Sequence, residues 1–176
     1  MLSLRKEPIY STLRIDSMGK LKLWILAVCV ATGLAASAGG QSSSIEERTR
    51  RFLDAYASGD RQKVLSLIDR TNIVMYGSDL AEVVRGSDAV LKLLDEDQRL
   101  WGGTARMGEM EHVSTIESKG LASIAFNVSF SVGGRPPIPV RVVAVWKRVG
   151  KEWLLVQSSN SVVTEHQSAE ELLRHP

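Results

Sequence analysis

Residues 140–163 constrain the fold of this chain more than any other segment. They read VRVVAVWKRVGKEWLLVQSSNSVV, two runs rich in β-branched residues on either side of Val149-Gly150. Such runs around a short turn predict an antiparallel hairpin, here with Trp146 and Trp153 at mirrored positions. The second run begins apolar and becomes polar over residues 157–161. This change predicts a strand that leaves a dry core for a wetter place, such as the mouth of a pocket.

The rest of the chain predicts helices first and strands afterwards. Apolar residues recur at helical spacing in three segments, and Ser44, Asp60 and Ser87 are suited to cap them. From residue 105 onward the period changes to two, which is typical of strands. The predicted helices are 45–58, 60–68 and 87–101; the predicted strands are 72–76, 81–84, 105–117, 121–132, 139–148 and 152–163.

The predicted strand registers agree with one another. A turn at 149–150 places Trp146 opposite Trp153, and the two other turns place His112 opposite Phe126. Four strands then share one apolar face, and a one-residue slip would turn every side chain over, so the agreement supports this arrangement. Three helices followed by a sheet with one apolar face predict an α+β domain, in which the helices pack on the concave side of a curved, mainly antiparallel sheet.

The first 38 residues predict an export signal rather than part of the domain. Lys20 and Lys22 precede a run of about a dozen apolar residues that leads into the A-x-A sequence at 36–38. The run is shorter than the roughly 20 residues that span a membrane. Met18, directly before it, is an alternative start of translation. We therefore expect a secreted or periplasmic protein cleaved near Ala38, with an uncleaved N-terminal anchor as the alternative.

Removal of residues 1–38 changes the charge of the chain. Five of the 22 Lys and Arg residues and two of the 20 Asp and Glu residues lie there, which leaves 17 against 18 and a formal charge of −1. No basic stripe remains, so we expect neither nucleic acid nor, in the mature form, a membrane as partner. The lone Cys29 is also removed, which excludes disulfides.

The remaining chain is then divided into three segments: residues 39–44 are a linker, residues 45–163 are the domain, and residues 164–176 are a tail or short helix.

Three turn motifs connect the predicted elements. They are Ser58-Gly59-Asp60, Arg85-Gly86-Ser87 and Gly150-Lys151-Glu152-Trp153. With the order and lengths of the elements, they resemble the SnoaL-like branch of the nuclear transport factor 2-like superfamily. The resemblance implies a cone-shaped domain with a pocket between sheet and helices. That branch commonly has a His six residues and a Ser eight residues after the last-strand Trp; here Ser161 matches and Ser159 replaces the His. Relatives include isomerases, cyclases, dehydratases and assembly domains, so the fold does not settle the function.

Two ionisable side chains are predicted on the inner surfaces, as candidate catalytic groups. His112 could act as a general base near neutral pH, or be a partly buried His bonded to a backbone group or a Ser. Asp97 falls between Leu94 and Trp101 on the apolar stripe of the third helix, where burial would raise its pKa and suit a general acid. The alternatives for Asp97 are a salt bridge to Arg106 and a helix rotation that exposes it.

Further side chains are predicted to line the pocket. Gln157 and Ser159 would position a carbonyl or hydroxyl of a ligand, or alternatively satisfy one another. Tyr56 and Tyr76 offer phenolic donors but are equally suited to packing. No metal site is expected, since Glu111 and His112 point to opposite faces and no second His is near in sequence. No cofactor is expected either, and the sequence has no phosphate-cradling loop. The predicted ligand-binding residues are Tyr56, Tyr76, Trp101, Met110, Phe126, Phe130, Trp146, Gln157 and Ser159.

Two classes of function follow from these patterns. The favoured one is a domain that binds a small, largely apolar molecule in its cone, with cofactor-free isomerase, cyclase or dehydratase chemistry suited to one His and one buried Asp. The alternative is a non-enzymatic interaction module, in which a sheet face carrying Val113, Val143 and Val145 forms a homodimer. A binding protein needs an open pocket of some hundreds of Å³, whereas an assembly module can fill its cone with side chains.

Overall fold

The computed structural model describes residues 43–164, and within them three helices and six strands form an α+β domain. The predicted signal at 1–38 lies outside the described residues, as does nearly all of the C-terminal tail. None of the described helices combines the length and the apolar composition that crossing a membrane requires. The elements are α1 (Ile45–Ala57), α2 (Arg61–Leu67), β1 (Val74–Tyr76), β2 (Val83–Arg85), α3 (Ser87–Trp101), β3 (Arg106–Glu117), β4 (Leu121–Ser131), β5 (Ile138–Val149) and β6 (Glu152–Val162).

Two of the three predicted helix caps are confirmed. The Ser44 Oγ accepts the Glu47 N–H at 3.1 Å at the start of α1, and the Asp60 carboxylate accepts the Lys63 N–H at 3.0 Å at the start of α2. At α3 the prediction is wrong, because the cap is Gly86 and not Ser87. Gly86 has a φ of 78°, a left-handed backbone that favours glycine, and because it has no side chain this helix start has no side-chain capping bond.

The sheet has the strand order β2-β1-β6-β5-β4-β3. All neighbours are antiparallel except β1, which pairs in parallel with β6 and so adds the short hairpin β1-β2 beyond the last strand. The helices cover one face of this sheet and share a single core with it. Fully buried side chains come from both layers: Val64, Val90 and Leu94 from the helices, and Ile124, Trp146 and Leu155 from the strands. Each such burial stabilises the fold by about 1.5–3 kcal/mol.

The hairpin β5-β6 differs from its predicted register in two ways. Its turn lies one residue later, so Trp146 pairs with Leu155 and not with Trp153. A β-bulge follows, because Val145 pairs with Gln157 and leaves Val156 as an extra residue. The extra residue reverses the alternation of β6, which places Ser158 on the helix-covered face and turns Gln157 away from it.

The pairing of β3 with β4 shifts register at two places, between Met107 and Met110 and between Glu111 and Ser114, and the second is a bulge that changes the position of His112. Glu111 pairs with Asn127 and Ser114 pairs with Ala125, so two residues of β3 oppose the single Phe126 of β4. His112 takes a φ of 52° there, and its side chain is exposed. The predicted inward orientation of His112 is therefore wrong, since the prediction assumed an uninterrupted ladder.

Candidate ligand cavity and acid–base pair

A cavity of about 330 Å³ lies between the helices and the covered face of the sheet. Its floor is formed by β4, β5 and β6, and its sides by α1, α3 and the β1-β2 hairpin. Most lining side chains are apolar, which is typical of sites for small organic molecules. The polar or ionisable side chains of the lining are Thr49, Tyr56, Tyr76, Ser78, Glu82, Asp97, Ser158 and Asn160.

One wall of the cavity is a continuous series of aromatic rings. Phe52 and Tyr56 of α1 are 5.9 Å apart between ring centroids, Tyr56 and Trp101 of α3 are 6.0 Å apart, and Trp101 and Phe130 of β4 are 5.1 Å apart. The rings are tilted to one another, an arrangement that aromatic pairs favour. The series joins two helices to the sheet, so it holds the wall of the cavity in a defined shape.

Asp97 and Tyr56 form a hydrogen-bonded pair at the cavity. The Tyr56 hydroxyl donates to the Asp97 Oδ2 at 2.8 Å, which links α1 to α3 across the aromatic wall. Within residues 43–164 the Asp97 carboxylate makes no salt bridge and accepts no other side-chain hydrogen bond. The alternative of a salt bridge to Arg106 does not apply, because the Arg106 guanidinium donates to the backbone oxygens of Ala105 and Gly103. The Asp97 Oδ1 thus remains available to a ligand.

The surroundings of this pair perturb both protonation equilibria. Burial raises the pKa of Asp97 above its ordinary value; the hydrogen bond from Tyr56 opposes this, and the Glu82 and Glu96 carboxylates add to it. Burial and the Asp97 carboxylate raise the pKa of Tyr56, so the phenol stays protonated and acts as a donor. A carboxyl group with a raised pKa is suited to exchange protons near neutral pH.

Glu82 brings a second carboxylate to the cavity from the β1-β2 turn. It accepts the Asp79 N–H at 3.1 Å and lies directly over Gly77, where any Cβ would overlap the carboxylate. The cavity lining contains Glu82 and Asp97 but no Lys, Arg or His. The electrostatic potential of the cavity therefore favours neutral or cationic molecules over anions. No group of three His, Cys, Asp or Glu side chains within residues 43–164 is placed to hold a metal ion.

The structure brings seven of the eleven predicted site residues together. They are Tyr56, Tyr76, Asp97, Trp101, Phe126, Phe130 and Trp146, all of which line the cavity. The other four do not line it. His112 is exposed because of the bulge in β3. The bulge in β6 exposes Gln157 and places Ser159 on the sheet face that points away from the helices. Met110 packs at the edge of the core.

Five polar lining residues escaped the sequence prediction: Thr49, Ser78, Glu82, Ser158 and Asn160. Ser158 and Asn160 take the inner positions that were predicted for Gln157 and Ser159. The one signal for this was the unbroken apolar run at 154–156, which allows either face of β6 to turn inward. Glu82 carries no comparable signal, because a Glu in a turn is usually a solvated residue.

Two comparisons with known sequences give different results. A family model described as a SnoaL-like domain matches residues 45–165. The comparison with curated proteins finds no match.

Solved structures with the same architecture come from several bacteria. A nuclear transport factor 2-like protein of unknown function from Pseudomonas putida is 16% identical, covers 70% of this chain and 87% of its own, and has a TM-score of 0.60. A suggested ketosteroid isomerase from Parabacteroides distasonis is 19% identical, with 71% and 92% covered and a TM-score of 0.57. A suggested dehydratase of the same fold family from Streptomyces avermitilis is 17% identical, with 67% and 93% covered and a TM-score of 0.57. At these identities the likeness shows the fold alone.

Proposed function

Because the chain belongs to the SnoaL-like domain family, with the nuclear transport factor 2-like fold, we propose that its cavity binds a small, largely apolar molecule and that Asp97 exchanges a proton with it. The observation that carries this proposal is an open cavity of about 330 Å³ with a half-buried acid in its lining. An assembly module would have no need to keep this space free of side chains. Two of the proteins with similar structures are a suggested ketosteroid isomerase and a suggested dehydratase, activities of the class proposed for this cavity.

The proposed chemistry requires only groups that line the cavity. The Tyr56 hydroxyl holds the Oδ2 of Asp97 at 2.8 Å, which orients the carboxylate and leaves Oδ1 for the ligand. Oδ1 takes a proton from a carbon next to an electron-withdrawing group of the ligand and returns it to the same or another carbon. The electron pair moves into the ligand and back, so no external oxidant or reductant takes part. The apolar walls keep water away from the intermediate.

The binding arm of the test uses two neighbouring valines as a matched pair. Val142 lines the cavity, whereas Val143 points to the other face of the sheet and is 41% exposed. We expect the fluorescence of the neutral dye N-phenyl-1-naphthylamine to rise on binding to the unmodified protein and to the Val143→Phe variant. Val142→Phe fills the cavity and should no longer bind the dye while it still unfolds cooperatively. Equal binding by both variants would place the dye elsewhere and contradict the proposal.

The chemical arm follows proton exchange at carbon. The two-ring ketone 1-tetralone has exchangeable hydrogens beside its carbonyl, and NMR in D₂O measures their replacement. Asp97→Asn should slow the protein-dependent exchange by roughly 100-fold or more, the usual effect of losing a general acid or base. Asp95→Asn is the control, because Asp95 lies on the same helix but pairs with Arg61 at the surface. Undiminished exchange in Asp97→Asn would remove the catalytic part of the proposal and leave the binding part intact.

Export and self-association complete the proposal. The charged start, apolar run and A-x-A site within residues 1–38 support export with cleavage near Ala38. The exposed Val143 on the face opposite the helices supports a homodimer through the sheet, which would leave the cavity accessible. Size-exclusion chromatography with light scattering tests the dimer, and N-terminal sequencing of the protein recovered from its host tests the cleavage.

A further inference from the structure

Trp146 has a hydrogen-bond donor without an acceptor. Its side chain is fully buried and lines the cavity, and its Nε1–H has no hydrogen-bond partner within residues 43–164. An indole N–H can only donate, and more than nine in ten buried polar groups in proteins are hydrogen-bonded. Trp146 is the one described residue whose buried side-chain polar atom lacks a partner. The Nε1 has no solvent-accessible surface in this structure, so a ligand atom reaches this donor only after a small shift of the side chains that cover it. The unpaired donor then indicates a position where such an atom accepts a hydrogen bond.

The strand neighbours of Trp146 offer its indole N–H no side-chain acceptor. The residues paired with it on the adjacent strands are Ala122 and Leu155, whose side chains have no polar atoms. A buried water needs two to four polar partners, and these neighbours supply none from their side chains. A ligand oxygen needs only the one bond, because the rest of the ligand is held by the apolar walls.

The charges of the lining decide which kind of acceptor fits. Asp97 and Glu82 are both acidic, and no basic side chain lines the cavity to compensate a negative ligand. A carboxylate or phosphate would lose its hydration and meet two like charges, which is strongly unfavourable. We propose that the cavity selects neutral molecules with a carbonyl-type oxygen, which accepts the hydrogen bond of Trp146 Nε1–H. This inference rests on the proposed function, because it specifies the ligand class of the same cavity.

The test compares three probes that share one ring skeleton: the hydrocarbon tetralin, the ketone 1-tetralone and the anion tetralin-1-carboxylate. The protein is expressed from its full-length sequence, and calorimetric titration gives the three affinities at pH 7. We expect the ketone to bind about three- to tenfold more tightly than the hydrocarbon, the ratio that one net hydrogen bond provides. The carboxylate should bind more weakly than either.

Two tryptophan variants assign the preference to one donor. Trp146→Phe keeps an aromatic ring but removes the N–H, so its affinities for ketone and hydrocarbon should become equal. Trp153→Phe is the matched control, since Trp153 is also buried but does not line the cavity, and it should keep the preference. If Trp146→Phe does not fold, the ¹⁵N–¹H signal of the Trp146 indole in the unmodified protein serves instead. It should move downfield with the ketone and not with the hydrocarbon.

The outcomes separate this inference from the proposed function. If the hydrocarbon and the ketone bind equally well, or if the carboxylate binds best, the cavity binds ligands but the assigned acceptor site is wrong. If the ketone preference persists in Trp146→Phe, or the indole signal does not respond to the ketone, the donor is a different group and the inference fails. If neither neutral probe binds, the proposed binding function fails and the inference falls with it.

Discussion

Replacement of Tyr56 by Phe removes one hydrogen bond and leaves the packing of the cavity wall in place. The Tyr56 hydroxyl donates to the Asp97 Oδ2 at 2.8 Å, while its ring contacts Phe52 on one side and Trp101 on the other. The ring remains in the variant, so the change in the free energy of unfolding reports mainly the lost bond. Tyr56→Phe is therefore the sharpest probe of whether this pair exists in solution.

The size of the effect follows from the charge and exposure of the partner. A hydrogen bond to a charged group contributes about 1.5–3 kcal/mol, and we take about half of this because Asp97 is only half-buried and solvent screens its charge. We expect a loss of about 0.75–1.5 kcal/mol at pH 7. For a domain of this size the loss corresponds to a Tm about 3–6 °C lower, measurable by circular dichroism.

The loss should also depend on pH, with a sign that the environment of Asp97 fixes. Its folded pKa is raised, chiefly by burial and also by Glu82 and Glu96, so the folded protein holds the proton more tightly than the unfolded chain. The stability from this group is complete below the unfolded pKa and is lost as pH rises through the folded pKa. Tyr56 opposes the shift, so its removal raises the pKa of Asp97 further and deepens that loss. The deficit of Tyr56→Phe should therefore be larger at pH 7 than at pH 4.

Two comparisons decide whether the hydrogen bond is the cause. Tyr76 also lines the cavity, but its hydroxyl makes no hydrogen bond within residues 43–164, so Tyr76→Phe should change stability by less than about 0.5 kcal/mol. In an Asp97→Asn background the Tyr56→Phe deficit should shrink and lose its pH dependence, because the charge is gone. A deficit that is the same at both pH values and in both backgrounds would refute the reasoning.

Two further predictions test the bulges that displaced the expected site residues. His112→Gln should leave dye binding, ketone exchange and Tm unchanged, since His112 is exposed and outside the cavity; loss of exchange would show that β3 is not bulged in solution. Ser158→Val should alter the affinity for 1-tetralone, whereas Gln157→Val should not, because only Ser158 faces the cavity. Calorimetric titration of both variants measures the two affinities. A change in Gln157→Val but not in Ser158→Val would favour the register without a bulge.

The helices, strands and apolar face could be predicted because each depends on local patterns. Ser44 and Asp60 lie where capping residues are needed, and the change of period near residue 105 marks the start of the long strands. Asp97 was predictable for the same reason, since a carboxylate within an apolar helical stripe is unusual. Its partner Tyr56 was predicted to lie in the pocket, but not to bond Asp97, because the two are 41 residues apart in the chain and meet only through helix packing.

The bulges could not be predicted, and they decide which polar side chains reach the cavity. A bulge adds one residue to one strand, and its cost depends on neighbouring strands that local sequence does not specify. In β6 the extra Val156 turns Ser158 and Asn160 towards the cavity, in place of Gln157 and Ser159, which were predicted to point inward. The same displacement has a chemical consequence: the cavity receives a short hydroxyl and an amide in place of a longer amide and another hydroxyl. The polar lining of this cavity therefore depends on the backbone of the last strand as much as on its side chains, and any residue-by-residue comparison with similar proteins must first align the bulge.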